Sequence, residues 1–384
     1  MSSEYAELGV DVDKEGIEVF RASLNNMFPW AFCTVIQDPE SEDRGIVLHT
    51  DGAGSKPVQN YLHWKESEEV EWFEGIAQDV LAMNLDDIIC VGARPIAFVD
   101  YIALNKAMLS KKDILSALSS GFGKSLKSMK DYGIEIFFGG GETADLPDQL
   151  RTLDVSGTIT GRVNLSDVIT GREIEPDDLI VGLRSGGQAK YECNENSGIM
   201  CNGITLARHC LMKKEYERKY PEIGGPQEKG YYGKFFYDDY LDELRMTVGE
   251  AIVSPTRFFA PVVKEVLEKY GSKVVGLIHN TGGGQTKCLN LGENVHYFKN
   301  DLIEPDPVFS LVQHESGEDW RHMFQNFNMG IGFEIVIKKD YAEDILDIPE
   351  KFGVEAKIIG RCEESDGKNK VTIESEFGKF RYRA

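Results

Sequence analysis

The segment Thr50–Lys56 combines the residue types best suited to phosphate chemistry, because Thr-Asp-Gly-Ala-Gly-Ser-Lys holds a carboxylate, two glycines, a hydroxyl and an amine. Glycines let backbone N–H groups approach an anion closely, and a lysine can neutralise a phosphate. Asp51 would repel phosphate unless a cation lay between them, so the segment suggests nucleotide phosphates held through Mg²⁺. It does not match the Walker pattern, and a glycine-rich turn with a solvated lysine explains it about equally well.

Two other acidic segments occur in the same half of the chain. Asp86 and Asp87 come at the end of a predicted helix, and Glu142 follows the triplet Gly139–Gly141. Mg²⁺ is bound by a few carboxylates together with substrate phosphates, which is what an ATP–Mg²⁺ site needs. Each acidic residue alone is better explained as a solvated side chain. Their occurrence together favours a shared cation site.

A second glycine-rich segment, Thr281–Gly284, follows a predicted strand in the C-terminal half. Its backbone N–H groups could bind another phosphate, although the spacing is not that of a dinucleotide-binding G-x-G-x-x-G motif. His279 precedes it and could be a general base, a phosphate ligand or a buried structural histidine. Position alone favours the structural role about twofold over either alternative.

The size and charge of the chain restrict its class. A length of 384 residues is enough for two domains with sizeable cores. The formal net charge of −22 argues against a nucleic-acid partner, which needs a basic face. Neither a membrane-spanning apolar run nor a basic N-terminal leader is evident, so no membrane association is expected.

The cysteines indicate the compartment. There are seven, an odd number, and none forms a C-x-x-C pair. This favours reduced thiols and a cytoplasmic location over disulfides or a zinc finger.

The hydrophobic pattern predicts alternating strands and helices in both halves. Helices are expected over 69–91, 111–132, 199–211 and 257–270, and strands over 45–49, 96–102, 134–138, 153–163, 179–183, 274–278 and 332–337. Residues 139–145 are expected to form a loop after the predicted strand 134–138. The fold class is therefore α/β (α+β), with a domain over 1–172, a second over 173–384, and a tyrosine-rich surface insertion at about 213–242.

Six segments occur in a characteristic order along the chain. They are Thr50–Lys56, Asp86–Pro95, Gly139–Pro147, Ser254–Arg257, His279–Gly284 and Met323–Gly332. Together they resemble one enzyme family, the phosphoribosylformylglycinamidine cyclo-ligases (aminoimidazole ribonucleotide synthetases). The resemblance covers the chain from about residue 45 to its C-terminus, and the chain is identified as a divergent member.

The resemblance implies an ATP-dependent ring closure in de novo purine biosynthesis. Formylglycinamidine ribonucleotide is phosphorylated on its formamide oxygen, a nitrogen of the amidine attacks, and phosphate leaves to give 5-aminoimidazole ribonucleotide. It further implies a homodimer in which the N-terminal domains pair strands.

The resemblance also implies roles for individual residues. Metal ligands for Mg²⁺ would be Asp51, Asp79, Asp87 and Glu142. ATP and its phosphates would be bound by Asp51, Gly52, Gly54, Ser55, Lys56, Gly140, Gly141 and Thr143. Substrate would be bound by Asn202, Gly203, Thr281, Gly282 and Gly283, with His279, Asn202 and Lys56 as catalytic candidates.

The chain departs from the family pattern in two places. Asn26–Phe32 replaces the usual Gly-Gly-x-Gly-Gly-x-Phe segment, and Met200 stands where Ser-Ser-Gly-x-His-Ser-Asn-Gly has its histidine. Two alternatives therefore remain: another ATP-dependent enzyme of the same superfamily, and a non-catalytic nucleotide-binding paralogue.

Overall fold

A computed structural model describes residues 3–10, 16, 18–21, 23–225 and 229–384; the rest of the predicted N-terminal domain and of the insertion lies outside these ranges. The N-terminal half forms a five-stranded sheet in the order β1-β2-β5-β3-β4. Pairing is antiparallel except between β3 and β4. Its strands are β1 Val35–Gln37, β2 Arg44–Gly52, β3 Arg94–Leu104, β4 Phe137–Asp145 and β5 Leu153–Asn164.

Helices cover one face of this sheet and leave the other open. The helices of this half are α1 Glu4–Glu7, α2 Glu18–Arg21, α3 Lys56–Ser67, α4 Glu74–Ile89 and α5 Lys111–Asp131. Helix α4 packs on β2, β5 and α5, and 13 of its 16 residues are buried. Because it carries Asp79, Asn84, Asp86 and Asp87 into the interior, each of these polar groups must find partners there.

The C-terminal half forms a seven-stranded sheet in the order β11-β13-β6-β14-β12-β15-β16, antiparallel except for β12 with β15. Its strands are β6 Leu179–Arg184, β11 Val274–His279, β12 Val295–Lys299, β13 Ile331–Ile337, β14 Ala356–Glu364, β15 Lys370–Ser375 and β16 Gly378–Arg383, with the short pairs β7 Gly186–Gly187/β8 Asn196–Ser197 and β9 Tyr240–Leu241/β10 Met246–Thr247. Its helices are α6 Ile204–Leu211, α7 Lys214–Lys219, α8 Val248–Val253, α9 Ala260–Tyr270, α10 Pro307–Ser316, α11 Trp320–Asn326 and α12 Asp347–Lys351. Strands β11 and β13 are buried along their whole length.

The mixed α/β prediction is confirmed. Residues 165–178 join β5 to β6 and contain the predicted boundary at 172, which stays a prediction. Within the described residues, no helix is long and apolar enough to cross a membrane.

Two local predictions are wrong. Residues 139–145 form strand β4 instead of a loop, since they pair in parallel with Asp100–Leu104 across a register shift. Helix α6 begins at Ile204, because residues 196–203 form a short strand and turns.

The tyrosine-rich stretch 213–242 stays a predicted insertion, and part of it packs into the interior. Tyr216, Tyr220 and Tyr231 are buried. The stretch packs on α3, where the Tyr61 hydroxyl donates a hydrogen bond to Glu222.

Candidate active site

The predicted phosphate segment is the tight turn between β2 and α3. The Ala53 N–H donates to the Val155 carbonyl (3.1 Å), and Gly54 adopts a left-handed φ of +59° that favours glycine. The turn places Gly54 beside the backbone of Cys201, and the Ser55 hydroxyl lies 2.9 Å from that of Thr205. The segment therefore contacts the start of α6 in the other half of the chain.

Lys56 is fully buried at the start of α3 and forms an ion pair with Asp79 (2.8 Å). Its ammonium group also donates to the carbonyl of Ser254 (2.7 Å). The same Asp79 oxygen accepts hydrogen bonds from the backbone N–H and hydroxyl of Thr256, both at 2.7 Å. A contact between Lys56 and phosphate would require this pair to open, so the predicted roles of Lys56 and Asp79 stay predictions.

The segment Ser254–Arg257 joins the two halves of the chain. Ser254 and Thr256 make the contacts just described with Lys56 and Asp79. The Arg257 guanidinium is wholly buried and pairs with Glu192 (2.6 Å). It also donates to the carbonyls of residues 184, 186 and 187. This motif thus positions the loop after β6.

The pairing of Lys56 with Asp79 gives a stability prediction. Removing one partner of a buried ion pair leaves the other charge uncompensated, so Lys56→Met should lower the free energy of unfolding by about 3–5 kcal/mol. The double variant Lys56→Met/Asp79→Leu should recover much of that loss. Urea unfolding followed by circular dichroism measures both. A Lys56→Met protein as stable as the parent but weaker in ATP affinity would make Lys56 a phosphate ligand instead.

Asp87 lies at the centre of a buried polar cluster. One carboxylate oxygen is 2.8 Å from Nδ1 of His279, and the other is 3.2 Å from Nε2 of His49. His279 is fully buried at the end of β11, whereas the His49 side chain is 21% exposed. Nδ1 of His49 in turn lies 3.2 Å from Oδ1 of Asn84.

The electrostatics of this cluster follow from burial and pairing. Burial opposes ionisation of Asp87, but hydrogen bonds from His279 and His49 outweigh it and hold its pKa well below the usual range. Burial also opposes a charge on His49, and the contacts with Asp87 and nearby Asp51 outweigh it, so the pKa of His49 is raised. The pKa of Asp51 is raised by burial and by Asp87. The neighbouring Asp86 points elsewhere, since it accepts the backbone N–H groups of Phe259 and Ala260 (2.9 and 3.0 Å) at the start of α9.

The second glycine-rich segment contacts the same region. Gly282 lies next to the side-chain oxygen of Asn202, whose Nδ2 finds no hydrogen-bond partner among the described residues. Gly203 has a φ of +73° and packs against the ring of Phe327, leaving no space for a side chain. Asn202, Gly203 and the segment Thr281–Gly283 are thus brought together.

A buried network holds the glycine-rich segment in place. Asn280 donates to the carboxylate of Glu334 (2.7 Å), which also pairs with Lys299 (2.5 Å). Lys299 donates to the carbonyl of Gln285 (3.0 Å) just after the segment, and all four side chains are fully buried. These buried side chains therefore hold the backbone on either side of residues 281–284 in place.

Glu142 is not brought together with Asp51 and Asp87 within one chain. It lies on edge strand β4, in the row of residues paired across the sheet that also contains Tyr101, Ser156 and Gly52. Asp51 lies in the next row, where it is paired with Gly157. Because successive residues of a strand face opposite sides, Glu142 points to the open face of the sheet and Asp51 to the helical face. Gly140, Gly141 and Thr143 share this edge strand, so the β4 assignments stay predictions.

Sequence reasoning missed His49, Asn84 and Cys33, which surround Asp87. The Cys33 thiol donates to the backbone carbonyl of Asp87 (3.1 Å). A signal for His49 was present, since it lies two residues before Asp51 on a strand and must share its face. No such signal was available for Cys33, because its loop has no regular period.

Comparison with known proteins identifies the family. A family model described as "AIR synthase related protein, N-terminal domain" matches residues 32–163. The chain is 35% identical over 327 residues to the phosphoribosylformylglycinamidine cyclo-ligase of Methanocaldococcus jannaschii, covering 85% of this chain and 80% of that protein. The chain belongs to the phosphoribosylformylglycinamidine cyclo-ligase family. A second cyclo-ligase, from Methanobrevibacter smithii, is 30% identical over 380 residues, 97% of each chain.

Solved structures share the fold of this cyclo-ligase family member at low sequence identity. The HypE–HypF complex has a chain with a TM-score of 0.59 at 16% identity, covering 96% of this chain and 97% of that one. Thiamine monophosphate kinase from Aquifex aeolicus has a TM-score of 0.56 at 12% identity, and the match covers 95% of this chain and 99% of that one. The predicted family and the predicted mixed α/β fold class are confirmed.

Proposed function

We propose that the protein closes the imidazole ring of 5-aminoimidazole ribonucleotide from formylglycinamidine ribonucleotide with consumption of ATP. The formamide oxygen takes the γ-phosphoryl group, and ADP is released. The amidine nitrogen attacks the formyl carbon and loses a proton, and phosphate departs with the oxygen. The observation that carries this proposal is the meeting of the Asp51 turn, the Asp87–His279 pair and the Asn202–Gly282 contact in a cyclo-ligase family member.

ATP binding is proposed at the turn 51–55, with the edge strand residues Gly140, Gly141 and Thr143 contributing from β4. Fold neighbours support it, since one thiamine monophosphate kinase structure contains AMPPCP and one Thermotoga maritima PurL structure contains ATP. The helix-facing carboxylate of Asp51 is suited to a cation, and the turn's backbone N–H groups other than those of Gly52 and Ala53, which donate to Asp51 and Val155, are suited to phosphate.

Mg²⁺ is proposed to accompany the nucleotide, and the predicted ligand set fits it only in part. Asp51 fits, because burial and the charge of Asp87 raise its pKa and a cation would relieve that repulsion. Lys56 and Thr256 occupy one oxygen of Asp79, and its other oxygen is buried without a hydrogen-bond partner among the described residues. Glu142 faces the open side of the sheet. When bound, Mg²⁺ would neutralise charge on the transferred phosphoryl group.

His279 is the group proposed to accept the proton of the attacking nitrogen. Nδ1–H donates to Asp87, which leaves Nε2 with a free lone pair, and Nε2 has no hydrogen-bond partner within the described ranges. A carboxylate that fixes the tautomer of a base is the arrangement that general-base catalysis requires. Met200 cannot carry a proton, so the histidine usual at that position has no counterpart there.

Asn202 is proposed to orient the substrate. Its side-chain oxygen lies beside Gly282, and its amide donor Nδ2 has no partner among the described residues, so a substrate oxygen could accept a hydrogen bond from it without competing for an existing partner. The backbone of Thr281–Gly283 would contact the ribonucleotide phosphate.

An assay with and without formylglycinamidine ribonucleotide tests the function. We expect ATP hydrolysis that depends on this substrate, with one 5-aminoimidazole ribonucleotide formed per ADP. Hydrolysis stimulated only by another acceptor would favour a different enzyme of the superfamily. ATP binding without turnover on any acceptor would favour the non-catalytic paralogue.

The open face of the N-terminal sheet supports a homodimer. Leu48 and Phe137 lie in one row of this face, with Val99 and Tyr101 in the next two rows. These four side chains are 39–63% exposed, and a face of this kind on a sheet is suited to burial against a second copy. Glu142 lies on the same face and would then come close to the partner subunit.

We therefore expect the parent protein to be a dimer in light scattering at micromolar concentration. Phe137→Glu should convert it to a monomer, because a buried unpaired carboxylate is costly. Tyr240→Glu is a matched control, since Tyr240 is 58% exposed in the other half of the chain. A monomeric parent protein, or a dimeric Phe137→Glu variant, would rule out this interface.

A further inference from the structure

The side chains around Asp87 include one soft and one borderline ligand that Mg²⁺ chemistry does not require. Cys33 comes from the loop before β1, His49 from β2 and Asp87 from α4. Their Sγ, imidazole nitrogen and carboxylate oxygen all lie within 4.8 Å of one another. We propose that Cys33, His49 and Asp87 form a binding site for a zinc-class divalent transition metal.

The tautomer of His49 is set for metal binding. The Asn84 amide group donates to the carbonyls of Asp51 (3.1 Å) and Val80 (2.8 Å), so its oxygen is left to accept from Nδ1–H of His49. In the metal-free protein Nε2 donates its proton to the Asp87 carboxylate at 3.2 Å, and a bound metal would displace that proton. Two acceptors face each other at that distance only if a proton or a metal lies between them.

The spacing agrees with a metal. Zinc–nitrogen and zinc–oxygen bonds of about 2.0–2.2 Å in a tetrahedral site put the two ligand atoms about 3.3–3.5 Å apart. The observed 3.2 Å between Nε2 of His49 and the Asp87 oxygen is close to this value. A proton alone also explains that contact. The Cys33 thiol, which donates to the Asp87 carbonyl in the metal-free protein, lies within 4.8 Å of both ligand atoms and adds the third ligand that a metal would use.

The ligands are held by neighbours that would keep them in place. His279 fixes one Asp87 oxygen (2.8 Å), and Asn84 fixes the His49 ring (3.2 Å). The loop carrying Cys33 is closed by Asn26, whose oxygen accepts the backbone N–H groups of Phe28 and Val35, both at 3.1 Å. Such contacts behind the ligands are typical of metal sites built in advance of the ion.

The ligand types select the metal. Thiolate and imidazole favour Zn²⁺, Co²⁺ or Fe²⁺, whereas Mg²⁺ prefers oxygen ligands in an octahedral arrangement. The Cys33 thiol would release its proton on binding the cation, because the thiolate is the form of cysteine that binds metals. Three protein ligands leave a fourth position for water or a substrate oxygen.

The test measures metal binding by the full-length chain without any substrate, so its outcome is separate from that of the proposed ring closure. The metal-free protein is titrated with Co²⁺, and stoichiometry is measured by mass spectrometry of the metal. We expect one Co²⁺ per chain, a thiolate-to-cobalt charge-transfer band, tetrahedral d–d bands, displacement by Zn²⁺ and none by a large excess of Mg²⁺.

Variants locate the site. Cys33→Ser should abolish the charge-transfer band, and Asn84→Ala should weaken Co²⁺ binding by about 10–100-fold. Cys193→Ser and Cys288→Ser are matched controls, one exposed and one buried, and both should keep the band. Absence of stoichiometric binding by the parent protein, a band that persists in a folded Cys33→Ser protein, or displacement by Mg²⁺ at similar concentrations would overturn the proposal.

Discussion

Asp87→Asn is expected to lower the rate of ring closure on the order of 10⁴-fold while the protein remains folded. Asp87 accepts hydrogen bonds from two histidines, and the one from His279 fixes the proton of that ring on Nδ1. An asparagine can present its amide N–H₂ group to His279, which would turn Nδ1 into the acceptor and put the proton on Nε2. The proposed base would then be blocked at the atom that must accept a proton.

Single-turnover formation of 5-aminoimidazole ribonucleotide measures this effect, and thermal unfolding followed by circular dichroism checks the fold. Asp113→Asn is the control, because it makes the same chemical change at an exposed position at the start of α5. Parent-like turnover in a folded Asp87→Asn protein would remove Asp87 from the chemistry.

His279→Ala is expected to lower ring closure by about 10²–10⁴-fold, the usual contribution of a general acid or base. ATP affinity should change little, because His279 is buried on the Asp87 side and belongs to none of the segments proposed to bind ATP. Calorimetry with ATP and single-turnover product formation separate the two quantities.

His279→Asn distinguishes proton transfer from positioning. Asparagine can still donate a hydrogen bond to Asp87 but cannot carry a proton near neutral pH. If His279 is the base, this variant should be as slow as His279→Ala; if it only positions Asp87, activity should return. His314→Ala is the control at a histidine that is 78% exposed. Ring closure at the parent rate in His279→Ala would make His279 a structural histidine.

Local pattern was sufficient for much of the fold. Helix α5 was expected over 111–132 and occurs at Lys111–Asp131, and β5 was expected over 153–163 and occurs at Leu153–Asn164. The hydrophobic period and the bounding glycines predict such elements, because these helices and strands depend mainly on residues that are close together along the chain. The prediction failed at 139–145, where pairing with β3 continues the strand through three glycines that locally indicate a loop.

The sequence by itself determined the family, the α/β class and the segments that carry the candidate residues, since these depend on residue types in order. Only the tertiary structure decided which side chains meet. Lys56 pairs with Asp79, 23 residues away, and Asp87 pairs with His279, 192 residues away. Glu142 and Asp51 lie on opposite faces because of strand register, which a one-residue shift would reverse. Contacts between distant segments depend on packing and register, and neither is encoded in the local pattern of the residues concerned.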